Sequence, residues 1–216
     1  MKYKKVLIHP KEQRVKSMLR EEGIDGALVL SPENFHYVAG FAGHQHTVSR
    51  QPGFSVMVVS SENDVPTQLA TMDFEAPTFE KKLEDQRAAL GTVAGNFKVH
   101  PYDTWVGSCS WDEITGARSP EPHHSMLSSD DLLKRLVRGM NLANRVIGIE
   151  LDYLNVGYFQ MLREAFPEAK FVNISDLFVR ARSVKMPDEI QMFRTLCCVA
   201  DQGFYEVSRI VQPGVS

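Results

Sequence analysis

The chain has 216 residues, 43% of them hydrophobic, and a formal net charge of -3. That length fills one large or two small domains around an ordinary core, and so small a charge provides no field to draw nucleic acid or anionic lipid. No apolar run reaches the ~18 to 20 residues of a membrane span, no N-terminal stretch suits a signal peptide, and three cysteines, two of them adjacent at Cys197-Cys198, make a poor disulfide framework. The expectation is a soluble cytoplasmic protein with no nucleic-acid or membrane partner.

Lys2-Tyr3-Lys4-Lys5 reads as a solvated terminus. Val15, Met18 and Leu19 recur at helical spacing within Lys11 to Glu22, and Gly23 supplies the stop. Ala27 to Leu30 is a short apolar run suited to a buried strand. Ser31 can cap a helix whose first position is Pro32, with Phe35 and Val38 on its buried face and Gly40 at its end. Residues 43 to 52 are poor in core-forming side chains and read as a polar loop carrying His44, His46 and Arg50. Phe54 to Val59 and Thr67 to Met72 form two strands of a hairpin turned by Glu62-Asn63-Asp64, and Pro66 marks the second as an edge strand.

Asp73 to Arg87 predicts a partly exposed helix anchored by Phe74, Phe79 and Leu83, and Val93 to Tyr102 predicts a strand. Gly107 to Ser129 shifts to Ser, Gly, Pro, Glu and His and reads as an irregular insertion, pinned by Trp105 and Trp111. A helix capped by Ser128 or Ser129 follows over Asp130 to Met140, its acidic residues first and its basic residues later. Arg145 to Leu151 is a strand, Val156 to Phe166 an amphipathic helix, Ala169 to Ile174 a strand and Ser175 to Arg182 a short helix. Glu150 and Asp152, near a strand end, read as structural or solvated. Strands alternating with helices predict an α/β domain with helices packed on its sheet, and the hairpin makes that sheet mixed. After a linker at Ser183 to Pro187, a long helix carries Ile190, Phe193, Leu196, Val199, Ala200, Phe204, Val207 and Ile210 on one side, with Cys197 and Cys198 as small packing residues.

Arg14 to Leu19, Ile24-Asp25-Gly26-Ala27, Ser31-Pro32-Glu33-Asn34, Tyr37 with Gly40-Phe41, and Arg180-Ala181-Arg182-Ser183-Val184-Lys185-Met186-Pro187-Asp188-Glu189-Ile190 occur in an order that resembles a known family. It is the N-terminal half of the pita-bread metallohydrolases: creatinase, Xaa-Pro dipeptidase (prolidase) and aminopeptidase P. The resemblance implies an N-terminal α/β domain over 1-182, with 183-216 as linker and first helix of a catalytic domain. It further implies a homodimer acting on a peptide or small amide, with two divalent metal ions such as Mn, Zn or Co. The family's metal ligands, two aspartates, a histidine and two glutamates, come from a region beyond Ser216, so this chain by itself is expected to carry no catalytic residue and no metal.

In the family the loop after the Tyr-x-x-Gly-Phe element reaches the partner subunit's active site, and an arginine before the returning strand contacts the substrate carboxylate in creatinase-like members. Arg50 matches that position, and its planar guanidinium suits a carboxylate, the alternative being an exposed arginine held by a surface carboxylate; His44 and His46 would line the same pocket. Two other readings stay open. One is a freestanding α/β binding or interaction module without hydrolase activity. The other is a small hydrolase built on His44, His46 and nearby acids, although a pair of imidazoles two residues apart without a third ligand is weak support for a metal.

Overall fold

Every residue of β1 (Gly26–Val29) is buried, because this strand lies inside a six-stranded sheet with helices on both faces. The computed structural model describes residues 9–90, 95–104, 127–211 and 214. The strands are β2 (Ser55–Ser60), β3 (Thr67–Met72), β4 (Phe97–Tyr102), β5 (Val146–Ile149) and β6 (Lys170–Asn173), in the spatial order β4-β3-β2-β1-β5-β6. β2 pairs antiparallel with β1 and β3, and all other pairs are parallel. The predicted hairpin therefore makes the sheet mixed, with β2 as its one reversed strand.

Strand alternation sorts the core into two layers. Ala27, Val29, Met57, Val59, Leu69 and Phe97 face one side, where α1 (His9–Glu21), α2 (Pro32–Ala39), α4 (Ala76–Leu90) and α7 (Ser175–Ser183) contribute Val15, Leu19, Phe35, Phe79, Leu83 and Phe178. Leu28, Leu30, Val56, Val58, Ala70, Ile147 and Ile149 face the other. There α5 (Ser129–Gly139) supplies Leu132, Leu133, Leu136 and Val137, and α6 (Val156–Ala165) supplies Leu162. Each helix presents its apolar stripe because burying it against the sheet removes that surface from water.

Local signals place the ends. Ser31 Oγ accepts from the Asn34 amide at the start of α2, Pro32 occupies the first turn, and Gly40 closes the helix at φ 79, a conformation that costs glycine nothing. Ser128 caps α5 in the same manner, accepting from the Asp131 amide.

Several expectations are corrected. Residues 43 to 52 are not simply a loop: His44–Ser49 forms a short helix, α3. Gly43 offers no capping side chain, and the Glu75 carboxylate takes that role by accepting from the Gln45 amide at 2.8 Å. β3 is not an edge strand, because β4 pairs along its whole length from Thr67 onward. Pro66 is tolerated because it precedes the first paired residue, so its missing N–H leaves no gap in the ladder. Phe74 is not an anchor; it is 60% exposed, while Phe79 and Leu83 are buried as expected. The insertion expected over 107 to 129, with Trp105 and Trp111, lies largely outside the described residues, as does Lys2 to Lys5.

The long helix is α8 (Pro187–Ile210), and none of its residues is buried. Cys197 and Cys198 lie exposed on it, so among the described residues they are not the packing residues expected. Its root is nevertheless firmly tied. Arg14 Nη1 donates to the carbonyls of Ala181 (2.9 Å) and Val184 (2.6 Å), Tyr37 OH donates to the Ala181 carbonyl (3.0 Å), and Lys11 pairs with Glu189 at 2.9 Å. No helix among the described residues is long and apolar enough to cross a membrane.

Candidate functional site

β1 and β5 run side by side in parallel, and the chain leaves their carboxyl ends in opposite directions, through α2 toward β2 on one side and through α6 toward β6 on the other. In open α/β sheets this divergence opens the crevice where ligands gather. The residues following the two strands meet there.

Glu150, 2% exposed, stands immediately after β5 and reaches across to the segment after β1. Its carboxylate accepts from the amides of Leu30 and Ser31, from Ser31 Oγ and from Asn34 Nδ2. A buried acceptor so supplied with donors, at a helix N-terminus, ties the end of β5 to the segment that follows β1.

His46 is also sealed, at 0% exposure, with its ring edge-on to Phe35 at a centroid distance of 5.6 Å. Its Nε2 lies 2.6 Å from the Leu30 carbonyl. A carbonyl only accepts, so Nε2 carries the proton. Burial pushes the imidazole below its ordinary value, outweighing the opposing Leu30 hydrogen bond and the Glu75 and Glu33 carboxylates, while Arg50 adds to the lowering. His46 is thus neutral in the fold. The unfolded chain takes up a proton below ~6.5, so stability is complete above that pH and falls as the pH drops through it, until the folded imidazole also titrates. Urea midpoints measured from neutral pH downward are expected to fall less steeply in His46→Gln than in the unsubstituted protein, by up to about 1.4 kcal/mol per pH unit. Equal slopes would remove His46 from this effect.

Arg50 follows α3 with φ 52 and ψ 35, a left-handed cap whose amide donates to the His46 carbonyl. Its guanidinium is exposed and pairs with Glu33 Oε1 at 2.6 Å. The hydrogen bond from Arg50 holds the Glu33 carboxyl below its usual range, against partial burial. Tyr153, in the turn after Glu150, has a buried hydroxyl with no hydrogen-bond partner among the described residues. Burial pushes its phenol up to about 12, with charge effects from Arg50, Glu150 and Glu33.

Of the three residues expected to line a pocket, Arg50 and His44 are exposed and His46 is interior. His46 therefore shapes the site from behind rather than facing a ligand. Glu33 completes the surface around Arg50. Glu33 lies inside the Ser31-Pro32-Glu33-Asn34 motif, which was a usable signal, whereas nothing local marks Tyr153. Among the described residues no group of three or more His, Cys, Asp and Glu side chains is placed to hold a metal ion.

Residues 12–184 match the family model of the Creatinase/Prolidase N-terminal domain. The chain belongs to this family. The creatinase/prolidase N-terminal domain seen here is 23% identical over 195 residues to the uncharacterized hydrolase/peptidase y4tL of Sinorhizobium fredii, covering 89% of this chain and 42% of that protein. It shares its fold with the Xaa-Pro dipeptidase from Bacillus anthracis, with a TM-score of 0.62, 21% identity, and coverage of 96% of this chain and 44% of the other. It also resembles the creatinase/prolidase N-terminal domain of an X-Pro dipeptidase from Streptococcus pyogenes, with a TM-score of 0.51, 18% identity, and coverage of 78% of this chain and 96% of that one. The chain thus spans less than half the length of the first two relatives.

Proposed function

We propose that this creatinase/prolidase N-terminal domain heads a longer metal-dependent hydrolase resembling Xaa-Pro dipeptidase. It supports a homodimer and lends Arg50 to the substrate pocket of the neighbouring subunit. The boundary lies at 182/183, and the catalytic metal ions belong to the part of the protein beyond α8. The observation that carries this reading is the exposed Arg50, held by the short α3 at the mouth of the β1/β5 crevice, in a chain that matches relatives about twice its length. The exposure of Phe193, Leu196, Phe204, Val207 and Ile210 on α8 adds support, since an apolar face of that extent is what a following domain would cover.

Kinetics of the longer enzyme test the role of Arg50. Arg50→Ala is expected to lower kcat/KM on a dipeptide with a free carboxylate by roughly tenfold or more, the scale of a lost charge-assisted pair, and to leave the corresponding peptide amide little changed. Equal losses on both substrates, or none on either, would remove Arg50 from carboxylate recognition.

A further inference from the structure

The short α3 carries Arg50 at its end, yet six residues of helix do not hold a direction by themselves. Two side chains tie it down. His46, in its middle, donates from Nε2 to the Leu30 carbonyl and packs its ring edge-on to Phe35. Glu75, at its start, accepts from the Gln45 amide at 2.8 Å. We infer that Glu75 is a positioning residue: together with Gly43 it fixes the direction of α3, and so the place where Arg50 stands, beyond supplying a cap to the helix. With Arg50 in the role proposed above, Glu75 thereby acts in substrate discrimination without touching the substrate.

Glu75 joins two helices. Its carbonyl accepts from the Thr78 and Phe79 amides at 3.0 and 3.1 Å, opening α4, while its side chain reaches the first turn of α3. The residue is 7% exposed. α4 is in turn locked into the core, where the Phe79 ring meets Phe35 and Phe41 at centroid distances of 5.8 and 5.0 Å. A rod about 9 Å long keeps its direction when held at two points, and pivots when held at His46 alone. Arg50, a full turn beyond His46, moves with any such pivot.

Gly43 is the counterpart of this carboxylate. Its φ of -65 and ψ of 148 suit any residue, and Ser, Thr, Asp or Asn there would cap α3 locally. Space forbids them, because a Cβ on Gly43 would lie 2.2 Å from Glu75 Oε2 and 3.1 Å from Glu75 Cδ. Oε2 is itself buried with no hydrogen-bond partner among the described residues. A buried oxygen left unmatched is unfavourable, and a local cap would not require it. What the distant carboxylate adds over a local cap is the tie to α4.

A cap swap, Glu75→Ala combined with Gly43→Ser, separates the two roles: the serine hydroxyl caps α3 from within, and the tie to α4 is gone. In the purified chain, hydrogen exchange at the Thr47 and Arg50 amides, which donate to the Gly43 and His46 carbonyls, reads the helix. Residual dipolar couplings of the α3 amides read its direction against the sheet. Glu75→Ala is expected to lose both, and Glu75→Gln, which keeps an acceptor oxygen, to retain both. The swap is expected to regain the exchange protection but not the couplings. Couplings restored by the swap, or unchanged in Glu75→Ala, overturn the positioning role. Gly43→Ala decides the matter if the swap does not regain the helix. It should shift the couplings on its own and add nothing to Glu75→Ala, and equal shifts in both backgrounds overturn the inference.

In the longer enzyme, Glu75→Ala and the swap should each lower kcat/KM on the dipeptide with a free carboxylate by roughly threefold to tenfold relative to the peptide amide. Neither should add to the loss in Arg50→Ala. Equal effects on both substrates, or full additivity with Arg50→Ala, overturn action through Arg50. If Arg50→Ala itself does not separate the two substrates, the role proposed for Arg50 fails, and the couplings still decide that of Glu75.

Discussion

Glu150→Ala is expected to lower the stability of the domain by about 3 to 5 kcal/mol, the cost of leaving buried donors without their charged acceptor. The carboxylate takes hydrogen bonds from Leu30 and Ser31 amides, Ser31 Oγ and Asn34 Nδ2. All of these belong to the segment where β1 becomes α2, and their sequence separation from Glu150 is 116 to 120 residues. The alanine variant loses the tie between the β1 and β5 halves of the crevice and leaves Ser31 Oγ, the cap of α2, without its carboxylate acceptor. Domains of this kind are stable by only about 5 to 15 kcal/mol, so the loss is a large share of the total. Glu150→Gln should lose less, because its amide oxygen still accepts while its NH2 turns a donor toward donors. Urea midpoints read both variants, and a loss below about 1 kcal/mol for alanine would mean that water replaces the carboxylate without cost. The expected side effect is a looser Arg50–Glu33 corner, since Glu33 sits within the helix that Glu150 holds.

Features whose cause is local were legible in the amino-acid sequence. Ser31-Pro32 opens α2 and Gly40 ends it because cap, proline and left-handed glycine act within one turn. Helices packed on the sheet followed from strands alternating with helices along the chain, and the reversed β2 from the turn at Glu62-Asn63-Asp64. Features whose cause is distant were not. α3 forms from a hydrophilic stretch because Glu75, thirty residues away, caps it and because His46 fills a gap beside Phe35. Helical periodicity over six residues cannot reveal this. Pro66 was misread for the same reason: the partner that makes β3 internal is β4, paired in parallel across an intervening helix. Arg50 stands exposed before the returning strand, and its pairing with Glu33 on α2 is a contact of the fold beyond the reach of any local pattern.

Lys16 shows what such long-range satisfaction costs when one member is removed. It is 0% exposed on α1, with Nζ donating to the Val65 carbonyl at 2.8 Å and standing 3.3 Å from Glu12 Oε1. Glu12, 1% exposed, also accepts from Thr67 Oγ1 at 2.6 Å. The pair therefore ties α1 to the start of β3. Lys16→Met keeps the length and apolar volume of the side chain but takes the ammonium away from a buried carboxylate, and the expected loss is about 3 to 5 kcal/mol. Glu12→Gln alone leaves a buried ammonium facing a neutral amide and should cost a comparable amount. The double variant Glu12→Gln with Lys16→Met carries no charge at this buried pair, so it should recover most of the loss, giving a coupling of about 2 kcal/mol or more in a double-mutant cycle. The reasoning is that two charges in a poorly polarisable interior are each expensive and are tolerated only together. If the double variant were as unstable as the sum of the single ones, the stabilising contacts would be the separate ones to Val65 and Thr67, and the ion pair would contribute nothing of its own.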